Sequence, residues 1–135
     1  MHESVIAFGI VREIDKYVRS AGSPAMIKVV LGELQNVDEV VLNEYLRMYL
    51  EEQGLSDVKY LFEWEKARFR CSVCGYEWSL DELELTESER EAIHFLPEAI
   101  YTFVKCPRCG SKVYEVLAGR GVRIVIEERR RTNDY

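Results

Sequence analysis

The chain holds four cysteines, and all of them fall in two copies of one motif, Cys71-Ser-Val-Cys74-Gly75 and Cys106-Pro-Arg-Cys109-Gly110. Two C-x-x-C turns can gather four sulfurs and several backbone N–H groups around one ion. The glycine after each second cysteine permits φ > 0, so that those N–H groups can face sulfur. Four sulfurs with no other ligand suit a closed tetrahedral site for zinc or, less often, iron. A closed site holds structure, so the distinguishing chemistry is expected elsewhere in the chain. Disulfides fit the pattern poorly, because each C-x-x-C bridge would close a tiny loop and restrict the unfolded chain little.

The second candidate chemistry lies at the amino end. The chain has two histidines, His2 and His94. At position 2 the α-amine of Met1, the amide nitrogen of His2 and its imidazole form two fused chelate rings. Once the amide ionises, three nitrogens share a plane, an arrangement that Ni(II) and Cu(II) favour and zinc does not demand. A fourth donor could be the Glu3 amide nitrogen, the Glu3 carboxylate or a ligand from elsewhere. Affinity at such a site must fall with acid, since amine, amide and imidazole all lose protons to bind. His94 stands among Ile93, Phe95 and Leu96, which reads from the sequence as a partly buried packing histidine.

At 135 residues, 47% of them hydrophobic, the chain can build one ordinary domain or two small ones. Its net charge of −6 argues against nucleic acid, which needs a basic footprint; the one basic cluster, Arg129 to Arg131, reads as a solvated tail. No signal peptide is recognisable, and no apolar run approaches the roughly 18 residues that span a membrane. A reducing cytoplasm is the expected location. With no nucleophile–base signature and no phosphate-binding glycine loop, the chain reads as a binding module and not as an enzyme.

The elements that must position these groups are legible in outline. Val5, Phe8, Val11, Ile14 and Val18 recur at helical spacing over residues 4–19, and Gly22 and Pro24 stop that helix. Residues 26–34 read as a strand with Ile27, Val29 and Leu31 on one face. Asn36, with Glu39 three residues on, reads as the opening of a second helix carried by Val40, Val41, Glu44, Tyr45, Met48 and Tyr49 and closed by Gly54. Residues 58–68 read as one long strand leading into the first knuckle. The 31 residues between Cys74 and Cys106 exceed the usual ribbon spacing of roughly 15–20. The excess reads as a helical insertion opened by Thr86. A short strand over 112–117, a turn at Gly119-Arg120-Gly121 and a last strand from Val122 follow.

The expected fold is α+β: a small mixed β-sheet packed by two helices, with an inserted four-cysteine zinc-knuckle module. The expected division is 1–66 with 111–135 as one domain and 67–110 as the metal module. Exposed edge strands would permit a homodimer.

Met1-His2-Glu3, the strand Val29-Val30-Leu31-Gly32-Glu33-Leu34 and the two knuckles in this order resemble the HypA family, the nickel metallochaperones of NiFe-hydrogenase maturation. The resemblance covers essentially the whole chain, and the insertion Ile93-His94-Phe95-Leu96-Pro97-Glu98 resembles the archaeal branch. It implies Ni(II) bound by Met1, His2 and Glu3, with His94 as the candidate remaining ligand, and Zn(II) held by Cys71, Cys74, Cys106 and Cys109. It also implies a HypB-type GTPase partner and delivery to the hydrogenase large-subunit precursor. Ser4 stands where the family commonly carries an apolar or aromatic residue, which bears on how the chain enters its first helix. Two other readings stay open at this point. The knuckles also resemble the halves of rubredoxin, an iron redox protein that would leave residues 1–66 unexplained. A zinc ribbon of transcription or translation would want basic residues, whereas this insertion carries Asp81, Glu82, Glu84, Glu87, Glu89 and Glu91.

Overall fold

The computed structural model describes residues 2–129. Among them the chain runs α1 (His2–Ala21), β1 (Met26–Gly32), α2 (Glu39–Glu52), β2 (Tyr60–Glu65), β3 (Arg68–Cys71), β4 (Glu77–Ser79), α3 (Glu87–Phe95), α4 (Ile100–Phe103), β5 (Tyr114–Ala118) and β6 (Val122–Glu127). Two compact units divide it: one formed by residues up to 30, 37–63 and from 122 onward, the other by 31–36 and 64–121.

The first unit is built on two helices and a three-stranded sheet of order β2-β1-β6, so the last strand returns beside the first. Ile27, Val29 and Leu31 of β1 are fully buried, as the alternation of that strand demands. The helices pack against each other, but only in part on the stripes the apolar periodicity suggested: Val11 and Ile14 are buried as expected, and the rest of the packed face differs. In α1 the buried set is Glu3, Ala7, Ile10, Val11 and Ile14. Val5 and Phe8 lie one face over and are 70% and 56% exposed. Phe8 instead meets Tyr49 edge-on at 6.3 Å, and the Arg12 guanidinium lies 5.9 Å from its ring centre. In α2 the core residues are Leu42, Leu46 and Leu50, four apart on one line, while Val40 and Met48 face solvent.

The start of α2 also differs from expectation. Asp38, and not Asn36, is the N-cap: its carboxylate accepts from the N–H groups of Val40 and Val41 at 3.0 and 3.2 Å. Asn36 is used elsewhere, donating from Nδ2 to the Phe95 carbonyl at 3.1 Å. Asp38→Ala should therefore cost about 1 kcal/mol of stability, visible as a lower urea midpoint at unchanged slope. A midpoint equal to that of the parent would show that the cap contributes nothing.

The second unit holds another three-stranded sheet, of order β4-β3-β5, with β3 antiparallel to both neighbours. What the sequence presented as one strand over 58–68 is two, broken at 66–67. The break has a local cause. Ala67 turns its N–H to the Glu33 carboxylate at 2.8 Å, and its backbone is packed against Gly119 so closely that a Cβ there would meet the Ala67 Cα at 2.4 Å. The core of this unit gathers Leu34, Ala67, Phe69, Trp78, Leu80, Ile93, Ile100 and Val104 with Cys71 and Cys106. Trp78 stacks on Phe69 with ring centres 5.5 Å apart, and Tyr114 meets both edge-on. The insertion is helical, as its length suggested. Thr86 and Glu89 form a reciprocal capping box at the start of α3, with bonds of 3.1 and 2.9 Å.

Candidate metal centres

The four sulfurs come together. All four Sγ atoms lie within 4.8 Å of one another, with Cys71 and Cys109 at 3.5 Å and Cys74 and Cys106 at 3.6 Å. These separations are far beyond a disulfide's roughly 2.05 Å. Sulfurs placed about 2.3 Å from a central zinc would form a tetrahedron with edges of ~3.8 Å, so the cradle is near the size such an ion requires.

The two knuckles are built alike. Cys71 donates its N–H to the Tyr76 carbonyl and accepts at its own carbonyl from Gly75, at 2.8 and 3.0 Å; Cys106 does the same with Ser111 and Gly110, both at 2.9 Å. Gly75 and Gly110 take φ of 78° and 77°, the left-handed region in which a glycine is favoured. The resulting turns aim amides at sulfur: Val73 and Cys74 donate to the Cys71 Sγ at 3.4 Å, and Cys109 donates to that of Cys106 at 3.5 Å.

These amides have an electrostatic effect. The Cys74 N–H, above all, lowers the Cys71 thiol to about 6. Against the cost of burial, the Cys109 and Arg108 N–H groups lower the Cys106 thiol as well. Cys109 receives some relief from the Ser111 backbone, but burial and the crowded sulfurs of Cys71, Cys74 and Cys106 push it up to about 12. A dication at the centre reverses that repulsion, because each thiolate then faces positive charge. The donor set thus fits a tetrahedral thiolate-bound ion. Cys71 and Cys106 are buried and Cys74 and Cys109 exposed, so one side of the site is sealed by the core.

The other candidate ligands are distributed over the two units. Met1 lies outside the described residues. His2 is the exposed first residue of α1. Glu3 is 8% exposed, and its carboxylate Oε2 accepts from the Asp38 N–H at 3.0 Å. That bond ties the start of α1 to the approach of α2 and engages the carboxylate that was one candidate for a fourth donor. His94 belongs to the second unit, in the last turn of α3, and is exposed. The expectation of a packing histidine is overturned: Ile93 fills the core position at 3% exposure, and a helix cannot aim the adjacent side chain the same way.

The sequence reading passed over Glu33 and Glu65. Each spends a carboxylate oxygen on a backbone N–H, Glu33 on Ala67 at 2.8 Å and Glu65 on Gly119 at 2.9 Å. No motif announces such a role, although Glu33 sits inside a segment that carried the resemblance.

An α+β chain with a four-cysteine cradle sealed on one side and an exposed histidine at residue 2 has the parts of a small metal-handling protein. Comparison with known proteins narrows this class. Residues 1–128 match the family model described as hydrogenase/urease nickel incorporation, metallochaperone, hypA. The chain is similar to the hydrogenase maturation factor HypA of Pyrococcus horikoshii, 44% identical over 132 residues and covering 92% of each chain. It is similar also to that of Thermococcus onnurineus, 41% identical over 128 residues with the same coverage. In fold it matches a solution structure of HypA protein at a TM-score of 0.64 and 17% identity, over 96% of this chain and 97% of that one. A solution structure of the Ni metallochaperone HypA from Helicobacter pylori matches at 0.61 and 17%, over 95% and 97%. The chain belongs to the HypA family of nickel-incorporation metallochaperones for hydrogenase maturation. The match includes the first 66 residues, which a rubredoxin relationship would leave without explanation. Among the described residues no helix is long and apolar enough to cross a membrane.

Proposed function

We propose that this protein binds Ni(II) at its amino end and delivers it to the large-subunit precursor of a NiFe-hydrogenase, while Zn(II) in the four-cysteine site holds the second unit in shape. The nickel donors are the Met1 α-amine, the His2 amide and imidazole nitrogens and the Glu3 amide nitrogen, with His94 completing the set. Zinc is held by Cys71, Cys74, Cys106 and Cys109. The nickel end belongs to the helical body and the zinc to the knuckle module.

The observation that carries this reading is the exposed His2 at the head of α1 in a chain that matches a nickel-incorporation family from its first residue. The inward-turned Glu3 carboxylate supports a nitrogen-rich donor set, which suits Ni(II). A site built around a chain end can be dismantled by withdrawing a single ligand, as a carrier requires. A HypB-type GTPase partner and the cytoplasm belong to the same proposal, and the protein acts by binding, without catalysis.

The test is a calorimetric nickel titration of protein with its native amino end beside the same protein carrying two extra N-terminal residues. Tight binding to the first and at least about a hundredfold weaker binding to the second is expected. Equal affinity would remove the α-amine from the site and overturn the arrangement.

A further inference from the structure

The second unit contains a pocket of about 250 Å³ lined by Glu33, Leu80, Leu85, Arg90, Ile93 and His94. We propose that this pocket is an alternative, weaker site for a borderline divalent cation, held by the Glu33 carboxylate and by the same His94 imidazole that the amino-terminal set would use, and that it works without the chain's amino end. The proposal deepens the nickel reading and rests on it for the identity of the ion.

Four observations point the same way. The donors are one imidazole nitrogen and one carboxylate oxygen, the pair that suits Ni(II), Co(II) and Zn(II), with waters filling the remaining positions. The carboxylate is already oriented, because its Oε1 accepts from the Ala67 N–H at 2.8 Å; ligating carboxylates characteristically carry such a supporting bond. His94 stands in the last turn of α3, a nine-residue helix, where the partial negative charge of the terminal carbonyls favours a cation. The floor is apolar: Leu80 and Ile93 are 6% and 3% exposed, which weakens screening at the site.

The charges facing the pocket are mixed, and they set its strength. Arg90, which also lines the pocket, opposes a cation; its guanidinium donates to the Leu83 carbonyl at 3.1 Å. Lys66, which feels the Glu33 charge, is paired with Asp81 at 2.7 Å. Glu82, Glu84, Glu87 and Glu91 of the same segment supply a negative field. A site with one opposing cation inside a negative field binds weakly and releases readily, which suits an ion in transit.

The test uses the zinc-loaded protein with two extra N-terminal residues, so that the amine site is absent. Co(II) and Ni(II) are titrated by calorimetry and by visible absorption. One weak site is expected. His94→Ala and Glu33→Gln should each weaken it by about tenfold or more. The glutamine keeps a carbonyl oxygen for the Ala67 N–H, so its circular dichroism should match the parent, and the loss then reports charge and not folding. Arg90→Ala should tighten binding several-fold, a gain that mere structural damage would not produce. If the extended protein binds neither ion, or if Glu33→Gln binds as well as the parent, the pocket is not a cation site. The native protein titrated alongside separates the two readings: tight binding there with none in the extended form overturns the pocket alone, and no binding in either overturns the amine site as well.

Discussion

Cys71→Ser should unfold residues 64–121 and leave the helical body standing. The core of that unit is small, and two of its buried members, Cys71 and Cys106, are among the proposed zinc ligands. A structural zinc bound by four thiolates contributes on the order of 10 kcal/mol to folding at neutral pH, more than a core of this size can supply without it. Removing the metal also restores the repulsion that raises the Cys109 thiol. The other unit rests on its own set of Ala7, Ile10, Ile14, Ile27, Val29, Leu42, Leu46 and Leu50, none of which belongs to the core that holds Cys71 and Cys106. Two spectroscopic signals separate the outcomes. Helix content lies mostly in α1 and α2, of 20 and 14 residues, against 9 and 4 in α3 and α4, so far-ultraviolet dichroism should fall only modestly. Trp78 is fully buried in the metal unit, so its fluorescence should shift to the red. A loss of helix signal in step with the tryptophan shift would mean that the two cores melt as one and that zinc supports the whole chain.

The second large effect concerns two glycines. A Cβ on Gly32 would sit 2.3 Å from the Gly119 carbonyl oxygen and 2.8 Å from the Arg120 nitrogen. These are backbone atoms that cannot rotate aside. They are also tied down: Gly32 donates to the Gly121 carbonyl at 2.9 Å, and Leu34 to that of Gly119 at 2.8 Å. Gly119 is held at φ +89 with Ala67 behind it. Gly32→Ala should therefore destabilise by about 3 kcal/mol or more. Gly9→Ala is the counterpart. It lies within α1 with nothing within 4 Å, and there alanine should stabilise by roughly 0.5–1 kcal/mol. Thermal denaturation of the two variants should bracket the parent. Should Gly32→Ala melt with the parent, the three segments at Gly32, Ala67 and Gly119 would have to be far more pliable than their contacts imply.

These contacts mark where the sequence stopped being legible. Its periodicities located the elements well: the first strand, the helical insertion opened by Thr86, and the returning strand from Val122 are all present. Four cysteines at C-x-x-C-G spacing specified their own cluster, because ligand chemistry constrains residue type and interval together. Helix faces were harder. Val5, Phe8, Val40 and Met48 fit a helical repeat but lie outside the core, because a second apolar line, at Ala7 and Ile10 or at Leu42 and Leu46, is the one that meets its neighbour. A chain with two apolar stripes on one helix does not reveal which will be covered. The break at 66–67 and the capture of its N–H by Glu33 depend on segments more than thirty residues apart, which no local window contains. His94 was misjudged for a related reason. Its neighbour Ile93 carries the apolar signal, and the exposed position beside it borrowed that signal.

The order of the strands also has a consequence for how the protein is made. Its first sheet takes β1 from residues 26–32 and β6 from residues 122–127, near the two ends of the chain. On the ribosome, the partner that completes that sheet is the last of the described strands to be made. The second knuckle precedes it only narrowly, ending at Gly110 where β6 begins at Val122. Vectorial synthesis therefore leaves β1 with an open edge through almost all of translation. The sheet of the first unit closes only once synthesis is nearly over, so the strand made first is among the last to be fully paired.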